Sequence, residues 1–535
     1  MFAQKIQPGQ RSWLGARLVE AGFIVCGLLL FYWPHPPVGS LLVLLVLIAL
    51  AWFRLEIAIA LLPLAFPYDG LHDGIPFGAS GSPSFLLTEI GVIVCLGVAL
   101  ARHAVFPVER QETLRWIRSA WKRSRFFVMP AALLAVGAGL ALLSARDRHE
   151  SLRAYREEII EPLLYALLFL RYLQTRTDLT RTVSAFLLST VIASFTGIIQ
   201  GVFKLSNYVV FTAVDALRVP GPYGSPNNLG FAIERALPLL LALGCIGLFR
   251  RHSADEPSQP SPWRDPLRWV CLAATIPLFW ALYWTSSRGA ELAVLAIIVL
   301  LFIFEAQRLI AVVPVLLLGA AGGFLFRSRL LQLFNEGHQG TVSERFIYWK
   351  AALLIIRDHF FLGTGPASFR LLYNVRSPDY PHGGDDSYAL KALDGQTFPL
   401  TFDPGISHPH NILLDFWISS GLLGLAALLW LLGAFTTRSI RLYRLCAGVK
   451  CGALFQRLLV GIAGGMLTML IHGMVDNSYF LPDLAFIFWF FIGVVLVVDR
   501  LVVDAHALAQ PKSTPEIAAS SNDQEQPSQA PAPLI

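Results

Sequence analysis

The chain alternates long apolar runs with short polar loops. A helix needs roughly 20 apolar residues to cross the hydrocarbon core of a bilayer, and about fourteen runs approach that length. They lie near 18–33, 38–53, 55–66, 85–104, 126–144, 157–173, 183–203, 228–249, 268–285, 289–306, 308–326, 411–434, 455–474 and 483–500. The run at 55–66 is short enough to be re-entrant. This pattern predicts an all-α polytopic membrane protein with about 12–14 transmembrane helices and one long loop.

Composition supports a membrane protein and excludes an ordinary cytosolic enzyme. The 535 residues are 55% hydrophobic and 15% charged, whereas a soluble domain has about 25% charged residues. The net charge of +6 is spread over short loops rather than one basic, aromatic-lined patch, so no nucleic-acid partner is expected. The six cysteines show no CxxC spacing, and no disulfide framework is predicted.

Basic residues in the loops set the predicted orientation. The first apolar run follows Lys5, Arg11 and Arg17 like a signal peptide, but it lacks a small-x-small cleavage site and a second run follows at once. We therefore interpret it as a retained signal anchor. With the N-terminus inside, 26 of the 42 Lys and Arg residues fall in cytoplasmic loops or tails. Both termini are then cytoplasmic, and the long loop at 327–410 faces the periplasm or cell exterior.

Three regions are predicted along the chain. Residues 1–180 form N-terminal transmembrane helices, and residues 181–500 form the catalytic membrane region, which includes the loop at 327–410. Residues 501–535 form a cytoplasmic tail. From about residue 508 this tail is rich in Pro, Ser, Gln and Ala, and such a composition cannot bury enough apolar surface to fold.

A histidine at the end of the long loop is the first candidate for chemistry. His410 precedes Asn411 where the loop enters an apolar helix, and a neutral imidazole accepts a proton from a hydroxyl near neutral pH. The alternatives are a helix-capping or interfacial polar role. A zinc pair with His408 is disfavoured because no third ligand lies nearby.

Three arginines on the predicted outer side are candidates for binding phosphate. Arg218 lies in RVPGPYGSPNNLG before a helix, Arg288 lies in WTSSRGAELAV at a tight turn, and Arg345 lies in SERFIYWKAALLIIRDHF. Guanidinium groups bind phosphate bidentately, so three of them near helix ends suit a diphosphate-bearing lipid. The alternative for Arg345 is that it reaches to lipid phosphate from the membrane surface.

The segment around Arg345 has the period of an amphipathic helix. Ser343 is a plausible N-cap, and the helix is expected on the outer membrane surface. Its apolar stripe consists of Phe346, Trp349, Leu353, Ile356 and Phe360. The GTGPASF that follows fits neither nucleotide-binding glycine pattern and is interpreted as a turn.

Further along the same loop, the stretch at 380–405 is rich in acidic residues. It has the side chains to bind a cation or the hydroxyls of an acceptor sugar, and a solvated surface loop is the alternative. The residues concerned are Asp385, Asp386, Asp394 and Asp403.

These features occur in an order that resembles the O-antigen ligase family. The order is Arg218 with PNN, SSRG at 286–289, ERFIYWKAA leading to FLGTGPASF, HPHNILLDFWISSGLLG, and HGMVDNSYF at 472–480. The resemblance covers residues 180 to 500 and extends to the N-terminal third only in architecture. Its most specific element is His-Asn followed about ten residues later by Gly421 and Gly424. The family includes O-antigen ligases, O-antigen and exopolysaccharide polymerases, and protein O-oligosaccharyltransferases.

The resemblance implies a metal-independent, inverting glycosyl transfer at the outer face of the bacterial inner membrane. It implies an undecaprenyl-diphosphate glycan as donor and lipid A-core or another glycan as acceptor, with no cofactor. By this analogy Arg218 and Arg288 hold the donor diphosphate, Arg345 assists phosphate binding, and His410 activates the acceptor hydroxyl. Supporting roles fall to Asn411, His408, Asn227 and Asp476.

Other functions remain open at the level of sequence. A polymerase of the same fold uses another lipid-linked repeat as acceptor, and no residue separates it from a ligase. A lipid-linked glycan flippase would favour repeated halves and polar residues at the bilayer midplane, whereas the polar residues here cluster at the outer face. A scaffold without catalysis would leave His410 and the outer arginines replaceable.

Overall fold

A computed structural model describes most of the chain. The described residues are 37–68, 75–76, 84–205, 210–211, 217–247, 262–306, 341–374, 387–393, 406–448 and 452–509. The predicted first apolar run at 18–33, the run at 308–326, the acidic loop residues and the tail beyond 509 lie outside this set.

The described chain is almost entirely helical. In chain order the helices are α1 Pro37–Phe53, α2 Leu55–Leu61, α3 Leu87–Val105, α4 Pro107–Ala141, α5 Arg148–Tyr155, α6 Glu161–Tyr172, α7 Arg176–Val202, α8 Pro226–Cys245, α9 Pro266–Thr285, α10 Arg288–Ala306, α11 Thr341–Asp358, α12 Phe369–Tyr373, α13 Tyr388–Leu393, α14 Ile412–Leu445, α15 Gly452–Gly473 and α16 Pro482–Ala509. A π-helical turn at Arg156–Ile160 joins α5 to α6. Short 3-10 turns occupy Leu62–Leu64, Phe66–Tyr68, Leu142–Ser144, Pro262–Arg264 and Cys446–Gly448. The strands β1 Ile75–Pro76 with β2 Ser84–Phe85, and β3 Val210–Phe211 with β4 Leu217–Arg218, form two antiparallel two-residue pairs.

Eight of these described helices are long and apolar enough to cross a membrane. They correspond to α3, α7, α8, α9, α14, α15, the second part of α4 from residue 123, and α16. The prediction of an all-α polytopic membrane protein is therefore confirmed. The run at 55–66, which is short enough to be re-entrant, is α2 followed by a short 3-10 turn, and much of it is buried.

Helices α8 and α16 form the centre of the bundle. Of the apolar window of each helix, 83% is buried by the surrounding helices, a pattern expected of a helix that is apolar all round. Packed aromatic rings link α16 to its neighbours, as where Phe490 contacts Phe169 and Phe186. Because α8 also carries Glu234 and Arg235, the centre of the bundle contains buried charges near one end.

Glycines in α15 let this helix approach α8 closely. A Cβ added at Gly461 would lie 2.6 Å from the Cα of Leu239, and one at Gly465 would lie 2.7 Å from the carbonyl oxygen of Arg235. Small residues are the usual means of close helix packing in membranes. The close approach brings the end of α15 against the first turns of α8, where polar groups of the two helices meet.

Helix α14 is broken near its start. Gly421 has φ 67° and ψ −169°, a backbone conformation outside the range of residues with a Cβ. The segment after α11 docks into the break, where the Leu422 amide donates to the Phe361 carbonyl and the Thr364 amide donates to Ile418. The Gly-x-x-Gly element therefore fixes the short first part of α14, which begins two residues after His410, against the loop-derived helices.

Helices α11 to α13 form a small cluster beside the bundle. Its interior contains Tyr348, Ala351 and Ile355 from α11. The predicted apolar stripe of α11 lies mostly elsewhere, since Phe346 is 61% exposed and Leu353 is 56% exposed. Helix α11 is thus apolar on two sides, which suits a helix that packs on protein with one side and meets lipid with the other.

Candidate functional site

Asp476 lies at the centre of a polar site in the turn between α15 and α16. The turn is rigid because the Asn477 side chain accepts hydrogen bonds from the Tyr479 and Phe480 amides, and both aromatic rings are fully buried. The Asp476 carboxylate is itself buried and accepts the Asn477 amide at 2.8 Å. The packing of the turn into the protein core therefore fixes the position of the Asp476 carboxylate.

His410 is held against this carboxylate. Its Nδ1 lies 2.6 Å from Asp476 Oδ1, and its backbone is in the left-handed region with φ 52°. The indole of Trp349 donates to the His410 carbonyl at 3.3 Å, and the ring of Tyr348 lies 5.6 Å from the imidazole. An imidazole that donates from Nδ1 to a carboxylate keeps Nε2 as its basic nitrogen. This geometry leaves one nitrogen available for an incoming group.

Arg345 approaches the same carboxylate, and Arg218 is connected to it through Asn227. Arg345, in the first turns of α11, lies 3.7 Å from Asp476 Oδ2. Arg218 donates to the Asn227 side chain at 2.8 Å, and Asn227 in turn donates to Asp476 at 3.4 Å. Because Asn227 lies in the first turn of α8, the chain Arg218–Asn227–Asp476 joins segments about 250 residues apart in sequence.

The loop that carries Arg218 is tied to the end of α9. Arg218 Nε donates to the Thr285 carbonyl at 2.8 Å, and the Val219 amide donates to the Trp284 carbonyl. These bonds satisfy carbonyls that a helix C-terminus leaves without partners. At the other end of the loop, Ser225 caps α8 and Pro226 occupies its first turn, a common helix start.

Opposing influences act on the pKa of Asp476. Burial alone raises the pKa of this carboxyl, but the hydrogen bond from His410 and the nearby His472 and Arg345 outweigh it and lower the pKa to about 2. Asp476 is thus a carboxylate at any physiological pH. A fixed negative charge beside Nδ1 favours the neutral imidazole that has its lone pair on Nε2, and it stabilises the ring once that nitrogen takes up a proton.

The other predicted residues take different positions. Arg288 begins α10, and the neighbouring Gly289 lies against the His472 ring, where an added Cβ would come within 2.2 Å of Nε2. His408 does not join Asp476; its Nδ1 lies 3.0 Å from Asp415 Oδ2. Asn411 caps α14, since its Oδ1 accepts the Leu413 and Leu414 amides. Its Nδ2 also donates to the Met474 carbonyl at 3.1 Å, which links the start of α14 to the end of α15.

Two residues of the polar cluster were missed by the sequence reasoning. Glu234 and His472 form a fully buried pair, with Glu234 Oε2 2.7 Å from His472 Nδ1. His472 Nε2 is 3.8 Å from Asp476 Oδ2. The signals were a glutamate inside an apolar helix and a histidine at the end of another apolar helix, four residues before Asp476.

The fold and site define a polytopic membrane protein with a histidine–carboxylate pair and arginines at one end of its helix bundle. A protein-family model described as O-antigen ligase matches residues 273–429. An O-antigen ligase of Salmonella typhimurium is 27% identical over 200 residues, which cover 35% of this chain and 46% of that protein. This segment of the chain is therefore similar to the O-antigen ligase family.

The matched segment covers only part of the site. Residues 273–429 contain Arg288, Arg345, His410 and the glycine break of α14. Arg218, Asn227, Glu234, His472 and Asp476 lie outside this segment, and the alignment with the Salmonella protein spans less than half of that protein's length. The eight described apolar helices are those of a multi-pass membrane protein.

Proposed function

We propose that this protein transfers a glycan from an undecaprenyl-diphosphate donor to a hydroxyl of an acceptor such as lipid A-core, at the outer face of the inner membrane. The observation that carries the proposal is the His410–Asp476 pair, in which Nδ1 faces the carboxylate, no described residue hydrogen-bonds to Nε2, and Arg345 lies 3.7 Å from the same carboxylate. Such a set combines a base for a hydroxyl with cations for a diphosphate.

The proposed reaction is a single displacement. The acceptor oxygen attacks the anomeric carbon of the donor and inverts it, and the bond from that carbon to the diphosphate oxygen breaks. The acceptor proton moves to His410 Nε2, and the diphosphate leaves with the electron pair. Arg218, Arg288 and Arg345 stabilise the negative charge on the leaving group, an effect for which one preorganised donor typically contributes about 2.7–4 kcal/mol.

The distribution of charge along the bundle supports an outer position for the site. The end opposite His410 carries many basic residues, among them Arg438, Arg441 and Arg444 near the end of α14, and Arg500. Membrane proteins retain short basic loops on the cytoplasmic side. The site, at the other end of the same helices, then faces the periplasm.

A gene deletion complemented with variants tests the proposal. We expect the His410→Ala and Arg288→Ala variants to accumulate in the membrane but to restore no glycan transfer, because each removes a group that acts in the transition state. Arg441→Ala, at the opposite end of α14, is the matched control and should restore transfer. Transfer by either site variant at the wild-type level would remove that residue from the mechanism.

The same deletion strain identifies the acceptor. We would resolve its lipopolysaccharide by size and extract its lipid-linked intermediates. A bare core with long polymers on undecaprenyl diphosphate indicates a ligase, whereas a core that carries a single repeat unit indicates a polymerase. Unchanged lipopolysaccharide would contradict lipid A-core as acceptor and would leave an exopolysaccharide or a protein.

A further inference from the structure

A second histidine–carboxylate pair lies directly behind the first. His472, at the end of α15, is 2% exposed, and Glu234, in α8, is completely buried. The 2.7 Å contact between Glu234 Oε2 and His472 Nδ1 links the two helices. A buried carboxylate needs a charged or donating partner to offset the loss of hydration, and the His472 ring supplies that partner.

The two pairs share Asp476. One oxygen of this carboxylate contacts His410 Nδ1 at 2.6 Å, and the other lies 3.8 Å from His472 Nε2. The order of groups from the bundle centre to the surface is therefore Glu234, His472, Asp476 and His410. Each nitrogen of the His472 ring faces a carboxylate oxygen, so a ring with a proton on both nitrogens suits both neighbours.

The fold holds the His472 ring in this place from several sides. Thr468, one helical turn before it, donates to the Glu234 carbonyl at 2.9 Å. The ring of Phe231 packs on the imidazole with 4.5 Å between ring centroids. Gly289 at the start of α10 covers the ring edge so closely that no side chain fits there. The imidazole thus has a fixed orientation toward Asp476 and is shielded from water.

We propose that His472, oriented by Glu234, is a positioning residue that supplies a compensating positive charge to Asp476 and so sets the basicity of His410. This inference rests on the proposed function, because it concerns the same base. His472 is enclosed by helices and acts through Asp476, whereas the proposed function places only His410 on the acceptor.

The expected effect follows from the charges that face Asp476. These are His410 and Arg345 on the loop-derived side and His472, with Glu234 behind it, on the bundle side. Arg288 begins the helix that covers His472. If the positive charge of His472 is removed, the carboxylate is less compensated and holds the proton on His410 more firmly. The acid limb of the pH–rate profile, which is the range where the rate falls as the pH is lowered, should then move to higher pH.

The experiment uses the purified full chain in detergent, with undecaprenyl-diphosphate glycan and lipid A-core extracted from the deletion strain. For His472→Gln we expect kcat measured below the acid limb to fall by up to about tenfold, the KM for the donor to stay unchanged, and the acid limb to move to higher pH. Glu234→Gln should act in the same direction, and the double variant should be no worse than the stronger single variant, since coupled residues are not additive.

His506→Gln is the matched control. His506 lies near the opposite end of α16, where its ring contacts the Leu445 carbonyl, so its replacement should leave kcat and the acid limb unchanged. If His472→Gln does not accumulate in the membrane, Glu234→Gln tests the positioning role instead, because glutamine keeps the shape of the Glu234 side chain and removes only its charge.

Two results would overturn the inference. One is a wild-type kcat and acid limb in both variants; the other is a loss of activity that follows a loss of folded protein while the acid limb stays in place. Failure of the proposed function gives a different result, namely full activity of His410→Ala. An inactive His410→Ala together with unshifted His472 and Glu234 variants would reject the positioning role alone.

Discussion

His410 combines a strained backbone with an anchored side chain. A φ of 52° is uncommon for a residue with a Cβ, and such conformations persist where the surroundings impose them. Here the Trp349 bond to the carbonyl, the Asn411 cap and the Asp476 contact all act on this one residue. The imidazole is therefore oriented before any substrate arrives, and preorganisation of this kind is what a catalytic base requires.

At the scale of one residue, Asp476→Asn tests the role of the carboxylate. An amide at this position leaves the shape intact but no longer favours a proton on His410 Nδ1, so the basic nitrogen is lost from Nε2 in part of the molecules. We expect kcat to fall by about 100-fold to 10,000-fold, measured as glycan transfer by purified protein. An activity within a few-fold of wild type would contradict this role.

The lowered pKa of Asp476 also predicts a pH-dependent stability. Its pKa is about 2 in the fold against an ordinary 3.8, so the carboxylate stabilises the fold above about pH 4 by roughly 2 kcal/mol. This contribution is lost as the pH falls toward 2. The difference in Tm between wild type and Asp476→Asn should therefore narrow between pH 6 and pH 3. A constant difference over that range would contradict the shift.

At the scale of elements, the break in α14 links catalysis to packing. The first part of α14 begins two residues after His410, and the segment 361–364 is docked into the break at Gly421. A continuous helix would place the residues that precede Ile412 in a different position relative to Asp476. The loop-derived helices and the bundle thus meet at a single glycine, and His410 lies close to that junction.

Gly421→Ala is the corresponding test. A Cβ at this position would come within 2.3 Å of the Phe361 carbonyl, and the positive φ adds backbone strain of about 1–3 kcal/mol. We expect a lower Tm and a clear loss of transfer activity. Gly433→Ala in the same helix is the control, since an added Cβ there meets open space. Equal behaviour of the two variants would mean that the break has no role.

Across the whole molecule, the helices could be predicted from the sequence better than the contacts between them. The apolar runs predict helices because helix length and composition follow local rules, and the eight described spans fall on them. His410, Arg218 and Arg345 were found because charged or titratable groups at helix ends are conspicuous. Asp476 was expected in the site only through the family resemblance. Its 2.6 Å contact with His410 could not be derived, because the two positions are 66 residues apart and meet through packing.

The pair formed by Glu234 and His472 could not be predicted from the sequence. Glu234 and His472 lie within apolar helices, where a lone polar residue is compatible with a simple packing role. Their pairing depends on the close approach of α8 and α15 at Gly461 and Gly465, and that approach is visible only in three dimensions. The supporting role expected of Asn411 stays a prediction, since this residue both caps α14 and donates to the Met474 carbonyl.

The orientation of the molecule has a direct test. In a cysteine-free background, Lys350→Cys on α11 should react with a membrane-impermeant maleimide added outside spheroplasts, because α11 contacts His410. Arg441→Cys, near the other end of α14, should react only after permeabilisation. Both side chains are exposed. The reverse pattern would place the site in the cytoplasm and contradict the proposed donor side.

The proposed mechanism makes His410 the base of a glycosyl transfer. The most direct measurement is the initial rate at which purified protein transfers extracted undecaprenyl-diphosphate glycan to lipid A-core at saturating donor. We predict that His410→Ala lowers this rate by at least about 100-fold while His506→Ala retains the wild-type rate. A His410→Ala rate within threefold of wild type would mean that His410 is not the base.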